Sequence, residues 1–117
     1  MKNTIVYIET EKRNIPLVFN LNVMEEIQER YGSLDNWGEL TKGDGEPKIK
    51  ELKTGIMIMM NEGIEIENYN NGTNEPILNE KQVGWIMSEV GIEGIVKKIQ
   101  EVTIASTKIE DNTGKNE

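Results

Sequence analysis

The sequence predicts an α+β domain that is mainly α: an N-terminal β-hairpin followed by about five helices. Three observations carry that prediction. Two β-rich runs stand near the start, large apolar residues then recur at helical spacing as far as Val102, and Asn, Ser or Gly occupies the points where such helices would begin and end. At 117 residues the chain is long enough to bury a core as a single domain, expected over residues 1–105, with 106–117 as a disordered tail.

The runs "TIVYIE" (Thr4 to Glu9) and "IPLVFN" (Ile15 to Asn20) flank the polar "TEKRN", a hairpin pattern with a longer loop, and Pro16 suits an edge strand. Asn20 or Asn22 can cap a first helix in which Leu21, Met24, Ile27 and Tyr31 share a face before Gly32 stops it. Ser33 can cap a short second helix carrying Leu34, Trp37 and Leu40, which "TKGDGEP" breaks. Pro47 fits the first turn of a third helix and Gly63 its end, leaving "EIENYNNGTNEP" as the most loop-like internal segment. Asn79 with Gln82 reads as a capping box, followed by Val83, Ile86, Met87 and Val90 and a stop at Gly91. Ile92, Ile95, Val96, Ile99 and Val102 form the last stripe, after which residues 106–117 hold too little apolar surface to fold. No internal repeat is present. Ile56, Met59, Trp85, Ile86 and Ile99 are expected to be largely buried.

The third helix poses the sharpest question. In "GIMIMMNEG", Gly55 to Gly63, Ile56, Met59 and Met60 extend a stripe begun by Ile49 and Leu52, whereas Met57 sits at its flank and Ile58 points the opposite way. One neighbouring layer cannot cover all of them. Either this helix is central to its own domain, or part of its surface is kept for another protein, a use that unbranched methionines suit.

Composition excludes much chemistry. The chain has no cysteine and no histidine, so disulfides, thiolate metal sites, a cysteine nucleophile and the usual serine triad are absent. With 21 acidic against 13 basic residues the formal charge is −8, which opposes binding to nucleic acid. The start "MKNTIVYIETEKRN" reaches charged residues too early for a signal-peptide core, and no segment approaches the roughly 20 apolar residues of a membrane span. A soluble cytoplasmic protein with no nucleic-acid or membrane partner is expected.

Motifs that could carry chemistry fail on spacing. Setting Gly72 at the sixth position of an EF-hand loop puts Tyr69 and Leu78 where oxygen ligands are needed. Asn71-Gly72-Thr73 matches a glycosylation acceptor but is read as a plain turn. Glu25, Glu26 and Glu29 occupy the polar face of the first helix, where a carboxylate has no burial to tune it. No dinucleotide or phosphate-binding glycine pattern occurs. Trp37 and Trp85 are read as core anchors. No catalytic residue, metal ligand or cofactor is assigned, and a non-enzyme is expected.

The order of "IPLVFNLNVMEEIQERYGSLDNW", "ELKTGIMIMMNEG" and "LNEKQVGWIMSEVGIEGIVKKIQEV" resembles the tail assembly chaperones of long-tailed, siphovirus-type bacteriophages and prophages. Those proteins combine a strand pair, a helix ending in Tyr-Gly, a hydrophobic helix ending near Asn-Glu-Gly, and a further helix leading into a last amphipathic one. The likeness covers about residues 4 to 104. It implies a protein in the cytoplasm of the bacterial host that binds the hydrophobic, helical tape measure protein and keeps it soluble while the tail tube polymerises, without a cofactor. It leaves contact with the tail tube protein and self-association open. Helical geometry then offers Met57, Ile58 and Met60 as partner-binding residues. In many such proteins a −1 frameshift late in the gene adds a second domain, at a run that in frame encodes Gly-Lys; Gly114-Lys115 is that dipeptide here. Alternative functions are a small acidic inhibitor or regulatory protein that mimics nucleic acid, and a structural tail or connector subunit.

Overall fold

The computed structural model describes the backbone of residues 3–42 and 46–115, and the side chains of 3–41 and 46–106. The chain runs β1 (Ile5–Glu9), β2 (Asn14–Val18), α1 (Leu21–Tyr31), α2 (Leu34–Lys42), α3 (Ile49–Asn71), α4 (Glu80–Val90) and α5 (Ile92–Lys115). This is the hairpin and five helices expected, an α+β fold that is mainly α. The tail at 106–117 and Gly114-Lys115 fall, apart from Ser106, outside the residues whose side chains are described.

β1 and β2 pair antiparallel, with Tyr7 opposite Pro16 and Ile8 opposite Ile15. Ile15 to Val18 are all buried, so β2 is covered on both faces. α3 packs along β2, and α5 also reaches the hairpin. The Asn20 side chain caps α1 by accepting the Val23 N–H at 3.1 Å, and Gly32, at φ 85°, ends it. Ser33 Oγ accepts the Asn36 N–H at 3.0 Å at the start of α2.

α3 answers the question posed by the apolar run. It is the central helix, touching β2, α1, α2 and α4, and it buries Leu52, Ile56, Ile58, Met59, Met60 and Ile64 around much of its circumference. Ile56 and Met59 are fully buried, as expected, and Ile86 and Ile99 are half-buried against the core.

Three expectations are corrected. Gly63 does not end α3. The helix continues to Asn71 and stops at Gly72, in the left-handed region at φ 66°. Gly63 is instead where the strand crosses the helix, because a methyl group there would lie 2.9 Å from Pro16 Cβ and 3.1 Å from its carbonyl carbon. Pro47 lies outside the helix, which Lys48 precedes as N-cap. Trp85 is 67% exposed rather than buried. The buried positions of α4 are Val83 and Met87, and Trp85 stands about 200° around the helix from Val83, so the apolar stripe turns it outward.

Candidate functional site

α4 is held so that its outer face is fixed in place. Asn79 Oδ1 accepts the Gln82 N–H and Gln82 Oε1 accepts the Asn79 N–H, each at 2.9 Å, closing the capping box. Leu78 and Val83 occupy the two staple positions around that cap, and both belong to the core packing. At the other end Gly91, at φ 91°, turns the chain into α5. The Glu89 carboxylate accepts the Glu11 N–H at 2.8 Å, tying the last turn of α4 to the hairpin loop. On the face so presented stand Lys81, Trp85, Ser88 and Glu89, all exposed. Trp85 is the large apolar residue among polar neighbours. A tryptophan on a rigid helix, ringed by polar groups, has the composition of an interface anchor.

The segment entering α4 is pinned along α3 by two asparagines. Asn68 Nδ2 donates to the Glu75 carbonyl at 2.9 Å while its Oδ1 accepts the Glu75 N–H at 3.0 Å. Asn61 does the same for Leu78, at 3.0 and 2.8 Å. The spacing is geometrically matched: seven residues of helix rise about 10 Å, and three residues of extended chain cover about the same distance. Residues 72–79 therefore run back along α3 as an extended strap, with Ile77 54% exposed upon it.

Between the hairpin and the end of α3 lies a half-open polar hollow of about 290 Å³, lined by Arg13, Pro16, Ile64, Glu67, Asn68 and Thr73 among others. Arg13 crosses its mouth to Glu75 at 3.8 Å, and Thr73 Oγ1 donates to Asn68 Oδ1 at 2.9 Å. The Tyr7 hydroxyl donates to the Glu67 carboxylate. That hydrogen bond, with some burial and the negative charge of Glu67, pushes the Tyr7 phenol above its ordinary value. Burial, then the hydrogen bond to Glu51, raises Tyr31 likewise. These groups join elements to one another. Among the described residues no group of three or more acidic side chains is arranged to hold a metal ion, and Glu25 and Glu29 are exposed on α1.

The residues offered for partner binding are placed differently from one another. Met57 is half-buried against the core, Ile58 is 8% exposed and Met60 is fully buried. A partner docking on this conformation meets Met57 at most. Ile58 points away from Ile56, as helical geometry predicts, but α3 has neighbours on that side too.

No protein family, curated protein or solved structure matches the chain.

The exposed tryptophan that the sequence reading placed in the core is Trp85, and the signal for its exposure is in the sequence. Val83, Ile86, Met87 and Val90 define the apolar stripe of α4, and Trp85 lies outside it. The helical period, rather than the preference of tryptophan for cores, decides where Trp85 stands.

Proposed function

We propose that this chain is a non-catalytic assembly chaperone of a long-tailed phage or prophage, which holds a hydrophobic helical segment of the tape measure protein until the tail tube encloses it. The carrying observation is Trp85, 67% exposed at the middle of a helix fixed at both ends. Burying an indole against a client removes a large apolar area from water, and the polar residues around it exclude solvent from the contact. The formal charge of −8 supports solubility of the loaded complex. The order of hairpin, Tyr-Gly-terminated helix, methionine-rich helix and capped α4 supports the same reading. One departure from that pattern is that α3 continues past Asn61-Glu62-Gly63 for two further turns.

This reading moves the client surface from the α3 methionines to the outer face of α4. Co-expression with a tape measure protein from the same genome should shift that protein into the soluble fraction. Trp85→Asp should abolish the shift while leaving the circular dichroism of the chaperone unchanged. A client equally soluble with the variant, or equally soluble alone, refutes the assignment.

A further inference from the structure

The outer edge of β1 is paired with no strand, and its hydrogen-bond phase can be derived. The Thr10 N–H donates to the Arg13 carbonyl at 3.1 Å, so this pair is a hydrogen-bonded one, and such pairs alternate along an antiparallel ladder. Val6 opposite Leu17 and Ile8 opposite Ile15 are then hydrogen-bonded pairs, whereas Tyr7 opposite Pro16 is not. Pro16 fits that phase, since it has no N–H to give. It follows that the peptide groups of Ile5, Tyr7 and Glu9 face away from β2. The sheet has two strands, and among the described residues nothing bonds to those groups. Natural edges are guarded by proline, charged side chains, a bulge or a covering helix; Ile5–Glu9 has no proline and no bulge in its register, carries one charge, Glu9 at its end, and is rich in β-branched residues.

We propose that this edge pairs with the same edge of a second copy, antiparallel about a two-fold axis through Tyr7, giving a four-stranded sheet ordered β2-β1-β1-β2. The inference is independent of the client reading. The outward residues are an odd set centred on Tyr7, so one register satisfies all of them in both chains. Tyr7 meets Tyr7 of the partner subunit and Ile5 meets Glu9 of the partner subunit, with about six hydrogen bonds across the axis. Val6 then lies opposite Ile8 of the partner subunit in the closer, non-hydrogen-bonded spacing. Ile8 is buried and Val6 half-buried against the core, so this pair carries the apolar layer across the join. The register also separates the two Glu9 carboxylates. Because each chain carries −8, association should strengthen as salt is added.

The test is sedimentation equilibrium of the full chain over a concentration and salt series, with two variants. The wild type should approach twice the 13.3 kDa of one chain. Glu9→Pro removes an outward N–H without touching the β1–β2 ladder, and should weaken the dimer roughly tenfold or more with an unchanged far-ultraviolet spectrum. The chain has no cysteine, so Tyr7→Cys provides a unique thiol on the axis, within disulfide reach of its copy at about 5.5 Å between Cα atoms. It should oxidise to a covalent dimer much faster than Ile77→Cys, which is exposed elsewhere. If Glu9→Pro folds poorly, the ratio of these two oxidation rates decides alone. A single-chain mass at every concentration overturns the proposal, as does an assembly larger than a dimer. So does a dimer indifferent to Glu9→Pro with equal oxidation rates. Protection of the Ile5, Tyr7 and Glu9 amides only after a client protein is added would give the edge to the client and likewise overturn pairing between copies.

Discussion

Trp37 and Trp85 show how position on a helix decides what a residue does. Trp37 lies over Gly55, where a methyl group would come within 2.1 Å of its ring, and its Nε1–H donates to the Glu51 carbonyl at 2.9 Å. Trp85 stands in solvent. Trp37→Ala should therefore cost about 3–5 kcal/mol in urea unfolding, and Trp85→Ala less than about 0.5 kcal/mol. Equal losses would contradict the placement of both. Glycines divide in the same way. Gly38 in α2 has nothing within 4 Å of where a Cβ would go, so Gly38→Ala should stabilise by about 0.5–1 kcal/mol through helix propensity. At Gly63 the same change meets Pro16, including its backbone, and should destabilise by about 1–3 kcal/mol. The sequence does not distinguish these glycines, because a helix stop, a neutral site and a crossing point share one letter. Only the neighbour from β2, distant in sequence, reveals the difference.

At the scale of elements, caps were legible and continuations were not. Asn20, Ser33, Gly32, the Asn79 capping box and Gly91 each declare themselves within four residues, since a cap is a local contact. The last two turns of α3 looked like a loop because "EIENYNN" is polar. Their helicity rests on the helix already formed before them, and their asparagines are used to hold the strap. Asn61→Ala and Asn68→Ala should each cost about 1–2 kcal/mol and raise amide exchange in residues 73–78 well above that in α4, read by hydrogen-exchange mass spectrometry. Uniform exchange changes across the domain would mean that the strap is not a separate unit. A second link between elements is the Tyr31 hydroxyl, which closes the end of α1 on Glu51 of α3 at 2.9 Å. Its acidity is lowered in the folded state, so the neutral phenol is favoured there. The resulting stability is fully present below the ordinary value of 10.0 and is lost as pH rises through the higher folded value. Tyr31→Phe should flatten the alkaline limb of a stability-against-pH curve measured above that value.

For the whole molecule, the fold could be read and the interaction surface could not. Alternation and helical period gave the order of the elements, and the acidic composition gave the solvated surface. Among the described residues no helix is long and apolar enough to cross a membrane. Helical geometry offers Met57, Ile58 and Met60 to a partner, yet α1, α2, α4 and β2 surround α3, burying Ile58 and Met60 and leaving Met57 half-buried. That covering is a property of the assembled domain, beyond any local window. The client surface proposed above is instead the outer face of α4, where Trp85 is exposed. The most direct measurement is acrylamide quenching of tryptophan emission while the purified tape measure segment is titrated in. Trp37 should be poorly quenched throughout. Trp85 should be strongly quenched in the free protein and become shielded, with a blue shift, in step with complex formation, and the change should vanish in Trp85→Phe. A complex that forms while Trp85 stays fully quenchable, or no complex at all, would contradict the assignment of α4 as the client surface.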